Sequence, residues 1–254
     1  MRQFTDAEMM QRTYDVYMIK NVMARHAYFH SFGLHGRELD EIWVQKPENQ
    51  ATASFGQNWG YQVGMELIRR NYDTVNVRNQ RRDMLAMQTK YPDIEDKPEN
   101  YAIGSMLMHM LTAPYIEVAA DGLTAQGLWY APGQVTVAHP DGVDAMYMYE
   151  RYGVDFIKED GEWKIWHLFI GTDFALEPGT LMTEQPVDMP EFDLNDEDED
   201  TNMILTHKFE AYTSRYNYFH YPAIPQPYET FTDKQVVSNG PEGNPRFVKY
   251  LQEA

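Results

Sequence analysis

The sequence has 254 residues, a formal net charge of −18 and a hydrophobic fraction of 43%. This length allows one large domain, or one ordinary domain with a long extension. The acidic excess argues against binding to nucleic acid or to anionic lipid. Cysteine is absent, which excludes disulfides, thiol nucleophiles and cysteine metal ligands. Residues 1–10 lack a signal-like apolar core, and no apolar run is long enough to span a bilayer, so we expect a cytoplasmic protein.

Helical patterns dominate the first part of the chain. Thr5 and Glu8 fit a capping box, and apolar residues at helical spacing follow to about Phe32. Gly33 and Gly36 then break the pattern. We expect a short helix over 37–44, a short strand over 51–55 and a third helical stretch from 60 to about 87.

Strand patterns take over from residue 103. The pairs Asp121-Gly122 and Asp160-Gly161 are turn signals that predict two-residue hairpins. The expected strands are 103–118, interrupted at Pro114, and then 123–137, 143–158 and 163–170. Because helices and strands are segregated along the chain, the order predicts an α+β fold with helices packed on one face of an antiparallel sheet.

The order weakens after residue 173. The acidic run 196–200 is typical of a solvated linker, and a segment rich in Tyr and Pro follows it. We therefore divide the chain into a domain over 1–173, an acidic linker over 174–202 and a C-terminal arm over 203–254. The aromatic content of the arm predicts that it is ordered. We expect it to pack against a neighbouring subunit or over a cavity mouth, with packing on its own sheet alone as the alternative.

Three segments resemble a known family. They are MHMLTAPYI at 108–116, TAQGLWY at 124–130 and YGVDFIKEDGEWKIW at 152–166. In this order, after a long helix, they resemble the SnoaL-like group of the nuclear-transport-factor-2-like superfamily, notably the bile acid 7α-dehydratases and, more distantly, scytalone dehydratase. The resemblance covers roughly residues 11–173. It implies a cone-shaped, curved antiparallel sheet wrapped around the long N-terminal helix, an apolar cavity at the wide end, and a homo-oligomer (dimer or trimer).

His109, in the first of these segments, is the leading catalytic candidate. The resemblance implies that it serves as the base, and an imidazole suits this task because its pKa lies near neutral pH. Strict alternation back from Ile116 places His109 on the opposite face of the strand. For His109 to reach the cavity, the strand must bulge between Thr112 and Pro114, where a proline is well tolerated.

The residues that would assist His109 depart from the family pattern. The dehydratases orient their histidine with an aspartate just after the first helix, but residues 17–38 contain none. By the resemblance, His35 takes that place, and either His26 or Tyr28 takes the place of a family tyrosine. A second polar position of the family falls at Gly133.

Aromatic residues on the predicted strands are candidates for binding substrate. These are Trp129, Tyr130 and Tyr147, of which the tyrosines could polarise a carbonyl, although tyrosines on sheet faces usually just pack. Hairpin register predicts His167 opposite Val154, on an apolar face. We therefore expect His167 to be a hydrogen-bonded core residue.

No cofactor or metal is expected. The sequence contains no dinucleotide-binding fingerprint, Walker loop or nucleophile elbow. His26 and His30 have the i, i+4 spacing that zinc sites use, but no glutamate follows the first histidine and no cysteine assists.

These features predict a cofactor-independent dehydratase (lyase) or isomerase. His109 would abstract a proton next to a carbonyl of a steroid-like or polycyclic aromatic substrate, and dehydration, double-bond migration or cyclisation would follow. Tyr28 or Tyr130 would donate to the enolate oxygen, and His35 or His26 would position the base or the leaving group. The alternative is a non-catalytic small-molecule-binding or assembly module of the same fold.

Overall fold

The computed structural model describes residues 3–57, 60–180, 204–205, 222 and 224–232. The helices are α1 (Asp6–Ser31), α2 (His35–Glu41), α3 (Pro47–Gln50), α4 (Met65–Arg69) and α5 (Asn76–Met87), with a π-helical turn over Arg70–Val75 and a 3₁₀ turn over Pro98–Asn100. The strands are β1 (Ser54–Gln57), β2 (Gly60–Val63), β3 (Ser105–His109), β4 (Thr112–Val118), β5 (Thr124–His139), β6 (Gly142–Glu159), β7 (Glu162–Leu176) and β8 (Ile204–Leu205).

Helix α1 begins where the sequence predicts. The Thr5 hydroxyl accepts from the backbone N–H of Glu8, and the Glu8 carboxylate accepts from the backbone N–H of Thr5, which completes the capping box. The buried face of the helix carries an apolar stripe that ends in a histidine, and its buried residues include Ile19, Val22, Met23 and His26. This buried face packs against β3, β4 and β7 of the sheet.

The predicted helical stretch over 60–87 is only partly helical. Residues 60–63 form β2, which pairs with β1. Gly64 has φ +89°, a left-handed conformation that glycine adopts without strain, and α4 begins directly after it. The π-helical turn then continues α4 into α5, and it buries Tyr72.

The strands form one eight-stranded, curved and unclosed sheet. Its order is β3-β5-β6-β7-β1-β2-β8, with β4 also paired to β5. The three long strands β5, β6 and β7 pair antiparallel over most of their length. The two-residue hairpin predicted at Asp160-Gly161 joins β6 to β7, whereas the turn at Asp121-Gly122 lies in a longer connection, 119–123, between β4 and β5. Strand β1 pairs parallel to β7. The α+β class with a long N-terminal helix against a curved sheet is therefore confirmed.

The bulge that the sequence requires lies within β4, between Thr112 and Tyr115. His109 pairs with Gly133 of β5, whereas Ile116 pairs with Gly127. Seven residue steps on one strand thus oppose six on the other, and Ala113 takes up the difference at φ +49°. Because the extra residue reverses the alternation, His109 and Ile116 point to the same inner face.

The core lies between this inner face and the helices. Its largest fully buried side chains include Trp43, Tyr152 and Phe156. Trp129 is buried here as well, with its ring centroid 6.0 Å from that of Phe156. In the first half of α1, the buried carboxylate of Asp15 accepts hydrogen bonds from Lys158 Nζ (2.9 Å), Trp163 Nε1 (2.9 Å) and a glutamine side chain.

The outer face of the sheet carries a second buried polar group. His167 pairs with Asp155 and not with Val154, because β7 has an extra residue at Trp166. The His167 Nδ1 atom lies 3.0 Å from Asp155 Oδ2, and Gln126 Nε2 donates to the other carboxylate oxygen. The predicted hydrogen-bonded buried histidine is confirmed, but it lies on the outer face.

Part of the C-terminal arm covers this outer group. The Tyr228 hydroxyl lies 3.1 Å from Thr124 Oγ1, and the Tyr228 carbonyl accepts from the backbone N–H of Ala120. The Phe231 ring lies 4.9 Å from that of Trp166. Residues 224–232 therefore pack on the sheet of their own chain. Most of the acidic linker, and the arm apart from 204–205, 222 and 224–232, lie outside the described residues.

None of the helices in the described ranges is both long enough and apolar enough to cross a membrane.

Candidate functional site

Four histidines from three elements meet on the inner side of the sheet. Helix α1 supplies His26 and His30, which lie one turn apart with ring centroids separated by 5.9 Å. Helix α2 supplies His35, and β3 supplies His109. The His30 ring lies 5.0 Å from that of His35 and 4.9 Å from that of His109. Half-buried His30 is therefore the centre of a histidine cluster, composed of His26, His30, His35 and His109, in which the other three side chains are buried.

Glu150 is the acidic neighbour of His109. Its Oε2 atom lies 2.9 Å from His109 Nδ1, and both side chains are nearly buried, with exposed fractions of 5% and 6%. The distance is that of an ion pair, although the angle departs from that of a well-formed hydrogen bond. The other carboxylate oxygen accepts from Thr172 Oγ1 at 3.2 Å. The sheet therefore holds a carboxylate against the Nδ1 side of the imidazole.

Gly133 makes room for this pair. A Cβ atom at this position would overlap the carbonyl oxygen of Met108 and would lie 3.1 Å from His109 Nδ1. The family's polar side chain is missing at Gly133, but Glu150 of the neighbouring strand, which pairs with Ala131, brings a carboxylate to His109.

A second carboxylate, Glu38, organises the helical side of the cluster. Its Oε1 atom lies 2.8 Å from His26 Nδ1 and accepts from Trp43 Nε1 at 3.1 Å. Its Oε2 atom accepts from the Tyr72 hydroxyl at 3.1 Å, and this hydroxyl lies 2.9 Å from His30 Nδ1. The contacts form a continuous chain from Glu38 through Tyr72 to His30.

Burial dominates the electrostatics of the cluster. It lowers the pKa of His30 well below the usual 6.5, and the neighbouring histidines His35, His109 and His26 lower it further. Burial also lowers the pKa of His35, an effect that the charge of Glu38 opposes. Neutral imidazoles are thus favoured at both positions at neutral pH.

Two buried tyrosines beside the histidine cluster, Tyr72 and Tyr152, stay protonated. Burial, followed by the negative charge of Glu38, raises the pKa of Tyr72 well above its usual value. Burial, followed by the charge of Glu150, does the same for the pKa of Tyr152. Both hydroxyls therefore remain hydrogen-bond donors at physiological pH.

Several buried polar atoms of the cluster have no hydrogen-bond partner in the described part of the chain. They are His26 Nε2, both ring nitrogens of His35 and the Tyr152 hydroxyl, together with the facing His109 Nδ1 and Glu150 Oε2. Unpartnered buried polar groups cost free energy. Such a concentration at one place is typical of a site that a ligand or water completes.

The structure brings together three of the predicted catalytic residues. His109, His26 and His35 all belong to the histidine cluster, whereas Tyr28 lies on the outward side of α1 and is 65% exposed. Tyr28 lies two residues from both His26 and His30, which is about 200° around the helix axis, so its side chain points away from the cluster.

The predicted substrate-binding residues lie elsewhere. Trp129 is part of the packed core. Tyr130 and Tyr147 are 54% and 46% exposed, because alternation directs them to the outer face of the sheet. The tyrosine that does lie on the inner face is Tyr152, which pairs with Trp129 across β5 and β6.

Five residues of the site did not emerge from the sequence as members of it: His30, Glu38, Tyr72, Glu150 and Tyr152. For Glu150 and Tyr152 a signal existed, since the proline and glycine at 140 and 142 mark a turn, and pairing the two strands outward from it places these residues opposite Ala131 and Trp129 of β5. For His30, the signal was the helical spacing from His26. Tyr72 and Glu38 depend on a π-helical turn and a tertiary contact, which leave no local pattern.

Within the described ranges, no three His, Asp or Glu side chains are arranged to hold a metal ion. A separate open groove of about 700 Å³ lies between α5 and the β5–β6 hairpin, lined by residues that include Arg82, Ala86 and His139. None of its lining residues belongs to the histidine cluster.

Comparisons with known proteins agree with this architecture. A model of the SnoaL-like domain matches residues 11–168, and no curated protein matches significantly. Among solved structures, a candidate dehydratase of the nuclear-transport-factor-2-like family from Streptomyces avermitilis is similar at 14% identity, over 63% of this chain and 97% of its own, with a TM-score of 0.47. The hexachlorocyclohexane dehydrochlorinase LinA-type3 from Novosphingobium barchaimii is similar at 13% identity, over 68% and 95% of the two chains, with a TM-score of 0.44.

A nuclear-transport-factor-2-like protein with a cystatin-like fold from Novosphingobium aromaticivorans is also similar. It has 14% identity, over 65% of this chain and 86% of its own, with a TM-score of 0.42. The family model spans more than half of the chain, and the chain belongs to the SnoaL-like family.

Proposed function

We propose that the protein is a cofactor-independent lyase or isomerase that uses His109 to remove a proton next to a substrate carbonyl. The observation that supports this proposal most directly is the approach of Glu150 Oε2 to His109 Nδ1 at 2.9 Å inside a buried polar cluster. SnoaL-like family membership is consistent with such chemistry.

Glu150 is suited to orient His109. A carboxylate beside Nδ1 favours the tautomer that carries its proton on Nδ1, which leaves the Nε2 lone pair to accept a proton. The same carboxylate stabilises the imidazolium after the transfer, as the third member of a catalytic triad does. Thr172 holds the other oxygen of Glu150, so the carboxylate is itself positioned.

Tyr152 is suited to stabilise the enolate that forms. Its hydroxyl is buried on the side of Glu150 and makes no well-formed hydrogen bond within the described residues, and its ring centroid lies 6.3 Å from that of His109. The raised pKa keeps the phenol protonated, so it can donate to an oxygen on which negative charge develops. In this role it replaces Tyr28 and Tyr130, which the structure places outside the cluster.

The charges of the site favour a neutral substrate. Two carboxylates, Glu38 and Glu150, lie in the cluster, and the whole chain has a net charge of −18. An anionic substrate would be repelled by both. We propose a neutral steroid-like or polycyclic aromatic ketone whose polar end enters the histidine cluster.

Deuterium exchange tests this proposal without knowledge of the complete reaction. The protein is incubated in D₂O with a panel of neutral cyclic ketones, and exchange next to the carbonyl is followed by mass spectrometry. We expect exchange above the buffer rate with at least one ketone, and a loss of about 100-fold or more in His109→Ala. The matched control is His139→Ala, which removes a histidine that is 40% exposed on the β5–β6 hairpin.

The same experiment separates the two candidate functions. Equal exchange rates in the wild type and in His109→Ala would contradict the catalytic proposal. Binding of a panel ketone with no exchange would favour the non-catalytic binding module, a function that agrees with the nearly complete burial of His109.

A further inference from the structure

The histidine cluster contains a second histidine that is connected to a carboxylate. His30 stands between His35 and His109, and its Nδ1 atom lies 2.9 Å from the Tyr72 hydroxyl. The proposed function assigns no role to this contact. The direction of each hydrogen bond in the chain can be worked out by counting protons.

Glu38 fixes which atom donates and which accepts in each hydrogen bond from Glu38 through Tyr72 to His30. An ionised carboxylate only accepts hydrogen bonds, and Glu38 faces three donors: His26 Nδ1, Trp43 Nε1 and the Tyr72 hydroxyl. Tyr72 has one hydroxyl proton, and it is used in the bond to Glu38. The Tyr72 oxygen must therefore accept from His30, so the proton of neutral His30 sits on Nδ1 and its Nε2 atom carries a lone pair.

We propose that Glu38, Tyr72 and His30 form a proton relay that makes His30 a second proton acceptor in the same site as His109. A proton from a substrate C–H or O–H group binds His30 Nε2. The Nδ1 proton of His30 passes to the Tyr72 oxygen, and the Tyr72 hydroxyl proton passes to Glu38 Oε2. One proton has entered, His30 is again neutral, and Glu38 has lost its negative charge.

The relay resolves a difficulty that burial creates. A buried imidazolium is unfavourable, and three neighbouring histidines oppose a positive charge on His30. Transfer through Tyr72 leaves no positive charge on His30, because the proton neutralises the Glu38 carboxylate. In this arrangement Tyr72 and Glu38 are positioning residues, because they act through His30. The catalytic meaning of the relay rests on the proposed function, but its protonation pattern does not.

Nitrogen NMR of the full-length protein measures that pattern directly. Histidine is labelled with ¹⁵N, and long-range proton–nitrogen correlations report which ring nitrogen of each histidine is protonated at neutral pH. The His30 signals are assigned by their loss in His30→Gln. We expect the Nδ1–H form of His30 in the wild type.

Two variants change the relay in different ways. In Glu38→Gln, His26 and Trp43 still donate to the side-chain oxygen, so the new amide group turns its N–H toward Tyr72. Tyr72 then donates to His30 Nδ1, and His30 should switch to the Nε2–H form. In Tyr72→Phe the partner of Nδ1 is removed, and the preference for Nδ1–H should be lost.

The matched control is Tyr228→Phe, which deletes a buried hydroxyl on the outer face of the sheet and should leave the His30 signals unchanged. An Nε2–H form in the wild type overturns the relay, as does an unchanged tautomer in folded Glu38→Gln. If Glu38→Gln does not fold, Tyr72→Phe and the wild-type spectrum decide. An Nε2–H form of His30 in the wild type, together with intact His109-dependent deuterium exchange, would refute this inference and leave the proposed function standing.

Discussion

Replacing Gly133 with alanine tests whether the space opposite His109 is filled as tightly as the structure indicates. The added Cβ atom would approach the Met108 carbonyl oxygen more closely than Cβ atoms do in real structures, and it would lie 3.1 Å from His109 Nδ1. The first contact is with backbone, so no flexible side chain can relieve it. Strand β3 must move away from β5, which would carry His109 away from Glu150.

The expected cost follows from overpacking of a well-packed interior. Such substitutions destabilise by about 1–3 kcal/mol, which corresponds to a roughly 5- to 150-fold larger unfolding constant. Gly142→Ala is the matched control on the same hairpin, since its Cβ would meet the His139 ring at an ordinary 3.5 Å. We expect a change of no more than about 0.5 kcal/mol for this variant.

Urea unfolding followed by circular dichroism measures both variants, and the His109 imidazole signals report any displacement from Glu150. Equal stability of Gly133→Ala and Gly142→Ala, with unchanged His109 signals, would refute the close approach of β3 to β5 at this point.

Three further predictions concern other parts of the fold. Because the pKa of His30 and of His35 is lowered on folding, the unfolded chain binds more protons below about pH 6.5, and the free energy of unfolding should fall with decreasing pH there, by up to about 3 kcal/mol per pH unit. Urea titrations between about pH 5 and 7 measure this slope. Tyr228→Phe should lower stability by about 1 kcal/mol in thermal melts, because it removes the hydrogen bond that joins the arm to β5. Lys158→Met should lower the free energy of unfolding in urea by about 3 kcal/mol, because it leaves the buried Asp15 carboxylate without its cation.

Each of these predictions has its own contrary outcome. The pH slope should shrink in His30→Gln and persist in His139→Gln, and an equal slope in both would place its origin elsewhere. Unchanged melting of Tyr228→Phe would show that the arm contact adds nothing. A stable Lys158→Met protein would show that the other two donors satisfy Asp15 alone.

The fold could be read from the sequence where local signals were strong. The capping box at Thr5, the two Asp-Gly turns and the need for a bulge before Pro114 are all present in the structure. The strand at 60–63 was missed because its pairing with β1 is a tertiary contact, and only Gly64 marks its end.

The candidate site could be read only in part. His109, His26 and His35 meet as expected, because they depend on helix phase and strand alternation. The outward position of Tyr28 and Tyr130 follows from the same periodicities, applied to each residue in turn. Glu38 was beyond local reasoning, since its role depends on three donors from separate parts of the chain.

The helix that runs from α4 through the π-helical turn at 70–75 into α5 contains one residue more than a regular α-helix of the same path would need. Successive residues rotate by about 100° around a helix axis, so removal of one residue before Tyr72 would rotate its ring away from Glu38 while the preceding segment kept its packing. A sequence without the extra residue would form a regular α-helix here, but its Tyr72 hydroxyl would not point to Glu38. Insertions of this kind frequently mark functional positions.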